Sequence, residues 1–292
     1  MIEFKDVHVS YEASAPILKG VNFAIRDGEF VAFVGTNGAG KSTTMRLMNG
    51  LLKPTRGEVL VDGEPTAALK TSRLARKVGF LFQNPDRQIC CNTVRDELLF
   101  GFRVRGEEGP EAERRVEAVA GELGLGLDDD PFLMNRGSRQ LLALASVVVM
   151  ETPVLVLDEP TTGLDYRECT KVMGIVDRLH RKGATVVMVC HDMEVVGDYA
   201  ERVIVMDGGR VVDDGPTFEV LRRPRTLSTA SLMPPQITAI SMELAARHPE
   251  LAESPVARAD TVDEMVAALE GSAGRSVEVA GEGPAAGEGG EL

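Results

Sequence analysis

Between residues 35 and 42 the chain reads GTNGAGKS. An apolar run, EFVAFV, leads into this segment, and a helix-like run, TTMRLMNGLL, follows it. Gly-x-x-x-x-Gly-Lys-Ser between a strand and a helix is the phosphate-loop pattern. Its glycines, at 35, 38 and 40, let the backbone curl so that successive N–H groups point at phosphate oxygens, and the helix N-terminus adds partial positive charge. Lys41 is placed to reach the outer phosphates and Ser42 to ligate Mg²⁺. A second chemical signal lies at 154–160, VLVLDEP, where two carboxylates follow four apolar residues. Asp158, at the end of a buried strand, suits the far side of the same metal, and Glu159 suits an attacking water beside the terminal phosphate. Gln83 follows VGFLF and His191 follows TVVMVC, so both also stand at the ends of β-like runs. The carboxyl ends of parallel strands are where open α/β sheets bind ligands, so these residues form one expected site.

The elements that must position them alternate between short β-like and helical runs. FKDVHVSY, EFVAFVG, EVLVDG and KVGFLF come first, a helical section occupies about residues 87–150, and VLVLDEP, ATVVMVC and RVIVMDGGRVVDDG return to strands. VLVL and TVVMV are apolar on both faces, as central strands covered by helices must be. This predicts an α/β domain over 1–216 with a helical insertion. From 217 to about 270 two helix candidates follow proline or Thr/Asp starts and read as a small appended domain. The segment 271–292, rich in Gly, Ala and Glu, is expected to be disordered.

Composition narrows the partners. Lys and Arg total 32 against 45 Asp and Glu, a net charge of −13, so nonspecific attraction to nucleic acid or anionic lipid is not expected. The longest apolar run, LLALASVVVM at 141–150, is half of a membrane span. The N-terminal residues show no secretory pattern, and a cytosolic start is expected. The cysteines at 90, 91, 169 and 190 have no C-x-x-C spacing and read as reduced, mostly buried thiols rather than a metal or redox site. The four histidines show no ligand spacing either.

Over roughly residues 1–230 these motifs resemble those of the ATP-binding subunits of ABC transporters. GTNGAGKST is similar to their Walker A loop, VLVLDEP to Walker B and GLD at 163–165 to the D-loop. The resemblance implies a P-loop NTPase fold with a mixed sheet, an ATP hydrolase with Mg²⁺, and nucleotide contacts from Tyr11, Gly35, Thr36, Asn37, Gly38, Ala39, Gly40, Lys41, Ser42 and Thr43. It implies Mg²⁺ ligation by Ser42, Gln83 and Asp158, catalysis by Glu159, a γ-phosphate contact from His191, and a Gln83 that senses the membrane partner. FQNPDRQ at 82–88, TVRDELLFG and the later MPPQITAISMEL are similar to energy-coupling-factor and cobalt-type importers. That implies uptake of a metal ion (cobalt or nickel) or a vitamin, through separate membrane subunits, from the cytoplasmic face of the membrane. The appended domain would then help dimerisation. A non-transport member acting in DNA repair or on ribosomes is the alternative, but such chains carry a long coiled-coil insertion or two ATPase halves. A small-molecule P-loop kinase would not need Gln83, GLD and His191 in this order.

One motif departs from the family. LMNRGSRQ stands where the resemblance places LSGGQ, with Asn135 for Ser, Arg136 for the first Gly, Gly137 retained and Ser138 for Gln. A helix cap, a helix dipole and an added cation still favour phosphate. Because that signature acts on the opposite subunit's ATP, a heterodimer with a regular partner is favoured over a homodimer.

Overall fold

The computed structural model describes residues 1–10 and 16–279. Its chain divides into one unit spanning Met1–Leu232 and a second beginning at Met233.

The first unit is built on two sheets. β1 (Ile2–Val9) and β2 (Leu18–Ile25) lead to β3 (Phe30–Gly35), which ends at the phosphate loop before α1 (Lys41–Met48). β4 (Arg56–Val61), β5 (Glu64–Pro65), α2 (Thr71–Leu74) and β6 (Val78–Leu81) follow. Three helices form the expected insertion: α3 (Val94–Arg105), α4 (Pro110–Leu123) and α5 (Arg136–Val148). The chain then re-enters the sheet through β7 (Val154–Asp158), α6 (Tyr166–Arg181), β8 (Thr185–Val189), α7 (Met193–Tyr199), β9 (Arg202–Asp207) and β10 (Arg210–Pro216). Strands β2-β1-β4-β5 make an antiparallel sheet. The larger sheet runs β10-β9-β3-β8-β7-β6, parallel except for β10.

Every residue of β3, β7 and β8 is buried, which is why these segments read as unbroken apolar runs. Phe4, Phe23, Phe33, Met45, Met48, Val156, Val187 and Ile204 share one core, and the Phe4 and Phe23 rings stack with centroids 4.3 Å apart. That core clamps α1 between the sheets and fixes the phosphate loop at the carboxyl edge of the larger one.

The structure departs from the sequence reading in four places. β2 was not anticipated: Gly20 and Asn22 interrupt LKGVNFAI, and only its antiparallel partner β1 makes it a strand. The division falls after Leu232 rather than after residue 216, because α8 (Thr217–Leu221) and α9 (Pro224–Ala230) pack on β10 and β9. Disorder was expected from 271, yet α12 (Val262–Val279) runs on, since extending an existing helix needs no new nucleus. The remainder of that segment, 280–292, lies outside the described residues. Of the thiols only Cys190 is buried; Cys91 and Cys169 are partly exposed and Cys90 is exposed.

The second unit holds α10 (Gln236–Arg247), α11 (Pro255–Arg258) and α12. Val256, Ala259, Met265 and Ala268 form its small core, with Ile237 and Leu244 against them.

Candidate functional site

Backbone conformation explains the phosphate loop's glycines. At Gly35, φ is +130° and an added Cβ would lie 1.9 Å from the Met206 carbonyl oxygen on β9. At Gly38, φ is +80° with open space on the side-chain face, so conformation alone demands glycine there. Thr36 Oγ1 donates to Asp207 Oδ1 at 2.7 Å and Ala39 N–H to Thr36 O at 3.2 Å, which stiffens the curl. The first-turn N–H groups of α1, on Lys41, Ser42 and Thr43, have no acceptor within the helix. No acidic residue occupies that turn, so its partial positive charge is left for an anion.

Lys41 is 6% exposed, and its ammonium donates to Gly35 O at 2.7 Å and Thr36 O at 2.9 Å. Burial lowers its pKa, opposed by the nearby charges of Glu159 and Asp158. Asp158 is 2% exposed, and Ser42 Oγ donates to its Oδ1 at 3.1 Å. Burial holds this carboxyl above the usual carboxylate range, against the Ser42 bond that lowers it. A hydroxyl and a buried carboxylate side by side, both oxygen donors, suit a hard divalent cation such as Mg²⁺.

Glu159 turns sharply out of β7. Its φ of +55° is left-handed, a conformation that costs a non-glycine residue about 1–3 kcal/mol. Three bonds hold it: Glu159 N–H donates to Val189 O at 3.0 Å, and Gln140 Nε2 donates to Glu159 O at 3.4 Å and Pro160 O at 3.3 Å. The carboxylate is thereby aimed at His191, whose Nε2 lies 3.0 Å from Oε1, while Thr162 Oγ1 donates to Oε2 at 3.0 Å. The parallel register puts Asp158 opposite Val189 and Leu157 opposite Leu81. The ends of β6, β7 and β8, carrying Gln83, Glu159 and His191, therefore share one sheet edge with the loop. Gln83 itself is exposed. Tyr11 lies outside the described residues.

The altered signature segment caps α5. Asn135 is the N-cap and its side-chain oxygen accepts from Ser138 N–H at 2.8 Å. Gly137 sits against Gly163: an added Cβ would lie 3.5 Å from the Gly163 carbonyl oxygen. Asn135 and Arg136 are exposed.

Four further contributors have roles that the sequence does not assign, although Gln140, like Gly137, fits the family signature by residue type. Gln140, 2% exposed, holds the Glu159 turn from α5, and Thr162 holds the carboxylate. Gln88 accepts from Phe82 N–H at 3.1 Å and donates to Ala143 O at 2.6 Å and Ser146 Oγ at 2.9 Å. Arg139 pairs with Asp86 at 3.0 Å. Together the last two tie the segment after Gln83 to α5. For Gln140 the available signal was a polar residue on the face of α5 that its apolar period marks as buried.

Residues 18–162 match a family described as ABC transporter. A putative ABC transporter ATP-binding protein of Caldanaerobacter subterraneus is 42% identical over 246 residues, 84% of this chain but 43% of that protein. The chain thus spans about two fifths of that relative's length. The energy-coupling factor transporter ATP-binding protein EcfA2 of Acetivibrio thermocellus is 38% identical over 259 residues, 87% of this chain and 92% of that one. Among solved structures, cbiO1 of Clostridium perfringens, part of the ABC transporter complex cbiONQ, aligns at a TM-score of 0.67 and 30% identity, over 86% of this chain and 96% of that chain. A dimer of the ATP-binding cassette MJ0796 bound to ADP and phosphate aligns at 0.67 and 31%, over 74% and 99%.

Proposed function

The chain belongs to the ATP-binding proteins of ABC transporters, and from that premise we propose that it binds and hydrolyses ATP to energise an importer made of separate membrane subunits. The observation that carries this reading is the meeting, at one sheet edge, of the Lys41 ammonium, the Ser42–Asp158 pair at 3.1 Å and the Glu159–His191 pair at 3.0 Å. Lys41 and the first-turn N–H groups of α1 bind the phosphates. Ser42 and Asp158, together with Gln83 beyond the end of β6, would hold Mg²⁺, which would supply positive charge against the phosphate oxygens. Glu159 orients the attacking water and accepts its proton, and His191, hydrogen-bonded to the same carboxylate, contacts the terminal phosphate.

The partner at the nucleotide interface is a second ATPase subunit, an unlike one by preference, because Asn135-Arg136-Gly137-Ser138 is a poor copy of the signature that completes the opposite site. Among the described residues no helix is long and apolar enough to cross a membrane, which suits peripheral attachment at the cytoplasmic face. The resemblance of FQNPDRQ and MPPQITAISMEL to energy-coupling-factor and cobalt-type importers supports a cargo of a metal ion, cobalt or nickel, or of a vitamin.

The test is Glu159→Gln in the assembled complex. The amide is nearly isosteric but accepts no proton, so turnover should fall about 10²–10⁴-fold while ATP affinity is kept. Lys41→Ala should instead weaken nucleotide binding about 10–100-fold, the loss of charge-assisted hydrogen bonds. Unchanged turnover in Glu159→Gln would remove its assigned role.

A further inference from the structure

Beside the segment that follows Gln83, three side chains that the nucleotide site does not use converge. We propose that Cys90, Cys91 and Glu97 form a binding site for a thiophilic divalent cation of the zinc class.

One ligand atom from each residue, two sulfurs and a carboxylate oxygen, lies within 4.8 Å of the others. Around a tetrahedral Zn²⁺ with Zn–S near 2.3 Å and Zn–O near 2.0–2.2 Å, neighbouring ligand atoms stand roughly 3.5–3.8 Å apart. Closing the gap takes side-chain rotation rather than a change of fold. Thiolate donors select the softer and borderline cations over Mg²⁺ and Ca²⁺, so this site and the oxygen-lined Ser42–Asp158 pair differ in the metals they take.

The carboxylate is built into place. Glu97 is 4% exposed in the first turn of α3, and its Oε2 accepts from the backbone N–H groups of both Cys90 and Cys91 at 2.9 Å. Those two bonds fix the carboxylate's orientation and also fix the turn that carries the thiols, the supporting-shell arrangement that metal ligands need. Cys90 is exposed, which gives a cation its way in. Three protein ligands leave a fourth position for solvent, so binding is exchangeable, unlike a closed four-ligand structural site. A disulfide is a poorer use of the pair: adjacent Cα atoms are about 3.8 Å apart, short of the usual disulfide range of about 4.4–6.8 Å.

The chain before the site is already anchored, since Gln88 is bonded to α5 and Ile89 is 6% exposed. A cation joining Cys90 and Cys91 to Glu97 therefore locks residues 88–97 as one piece.

The experiment uses the full chain, reduced and metal-free, titrated anaerobically with Co²⁺ as the spectroscopic substitute for Zn²⁺. One equivalent should develop sulfur-to-cobalt charge-transfer absorption that Zn²⁺ abolishes, and Zn²⁺ should slow amide exchange over residues 88–97. Cys90→Ser and Cys91→Ser should each remove most of that absorption. Glu97→Gln, whose amide oxygen still accepts the two N–H groups, should keep the melting temperature and weaken binding about 10–100-fold. Cys169→Ser should change nothing. No charge-transfer band in the wild-type chain, or an undiminished band in the Cys90→Ser/Cys91→Ser double variant, overturns the site. These readouts need no ATP turnover, so they stand or fall apart from the proposed transport function.

Discussion

Asp158 and Lys41 show how a ligand site is kept at the expense of the unliganded fold. Asp158 is buried with a single hydroxyl from Ser42 as its hydrogen-bonding side chain, and burial raises its pKa. A carboxyl whose folded pKa lies above its unfolded value binds its proton more tightly when native. Stability is therefore lost as pH rises from the unfolded value through the folded one, and the whole penalty is present above the folded value. Asp158→Asn removes the buried charge and keeps an oxygen for Ser42. The metal-free variant should melt at least about 2 °C higher at pH 7, taking roughly 1 kcal/mol as 2–4 °C in a chain of this size, and the gain should shrink toward acid pH. Mg²⁺-ATP should raise the melting temperature of the wild type but hardly that of the variant. A variant that melts below the wild type at pH 7 would contradict this account. The residues that surround the Glu159 turn tell a related story. GTNGAGKS and VLVLDEP were legible because each motif is local: a strand end, a turn and the residues beside it. The role of Gln140 was not, because it depends on α5 meeting the turn after β7, which no spacing within either segment encodes; the Thr162 bond is local, but the sequence does not say which hydroxyl of that turn folds back on Glu159.

At the scale of elements, the connection that matters runs from the end of β6 to α5. Gln88 spans the two through three side-chain bonds, and Asp86 adds an ion pair to Arg139 at 3.0 Å. Arg139 stands three residues after Arg136, so these contacts would pass a push on the segment after Gln83 to the helix that Asn135 caps. Asn84 also caps this turn, accepting from Asp86 N–H at 3.1 Å, so the turn survives without the ion pair. Asp86 is exposed, and pairs of this kind contribute about 0–1 kcal/mol to stability. Asp86→Ala should accordingly shift the melting temperature by no more than about 4 °C. It should reduce transport in the assembled complex severalfold more than it reduces basal ATP hydrolysis. Equal loss of both activities would make the pair a structural one. Helix and strand existence was well read at this scale where the apolar period was strong, as in β3, β7 and β8. It failed for β2, whose Gly20 and Asn22 look like a turn until β1 pairs with them, with register shifts around Val7.

For the whole molecule the proposed function makes symmetry decisive, because in it the helix capped by Asn135 serves a nucleotide held by another subunit. Asn135 accepts from Ser138 N–H, so its side-chain oxygen is committed to the cap and only its amide group remains to donate toward a phosphate. Arg136 adds a cation where the family pattern has a glycine, which suits binding more than the close approach that hydrolysis needs. The consequence is directional. In the proposed assembly this chain's Lys41, Asp158, Glu159 and His191 would be completed by the partner's signature, and the partner's nucleotide would face this chain's altered one. Restoring Asn135→Ser, Arg136→Gly and Ser138→Gln should therefore raise hydrolysis at the partner's site about tenfold or more. It should leave this chain's own site nearly unchanged; a tenfold rate change corresponds to about 1.4 kcal/mol of transition-state stabilisation. Glu159→Gln silences this chain's site and isolates the other for measurement. If Asn135 does no more than cap α5, the triple change alters stability by about 1 kcal/mol or less, since serine caps as well as asparagine, and turnover does not move. A chain that forms only homodimers and hydrolyses ATP at an ordinary transporter rate without any partner would overturn the asymmetric arrangement.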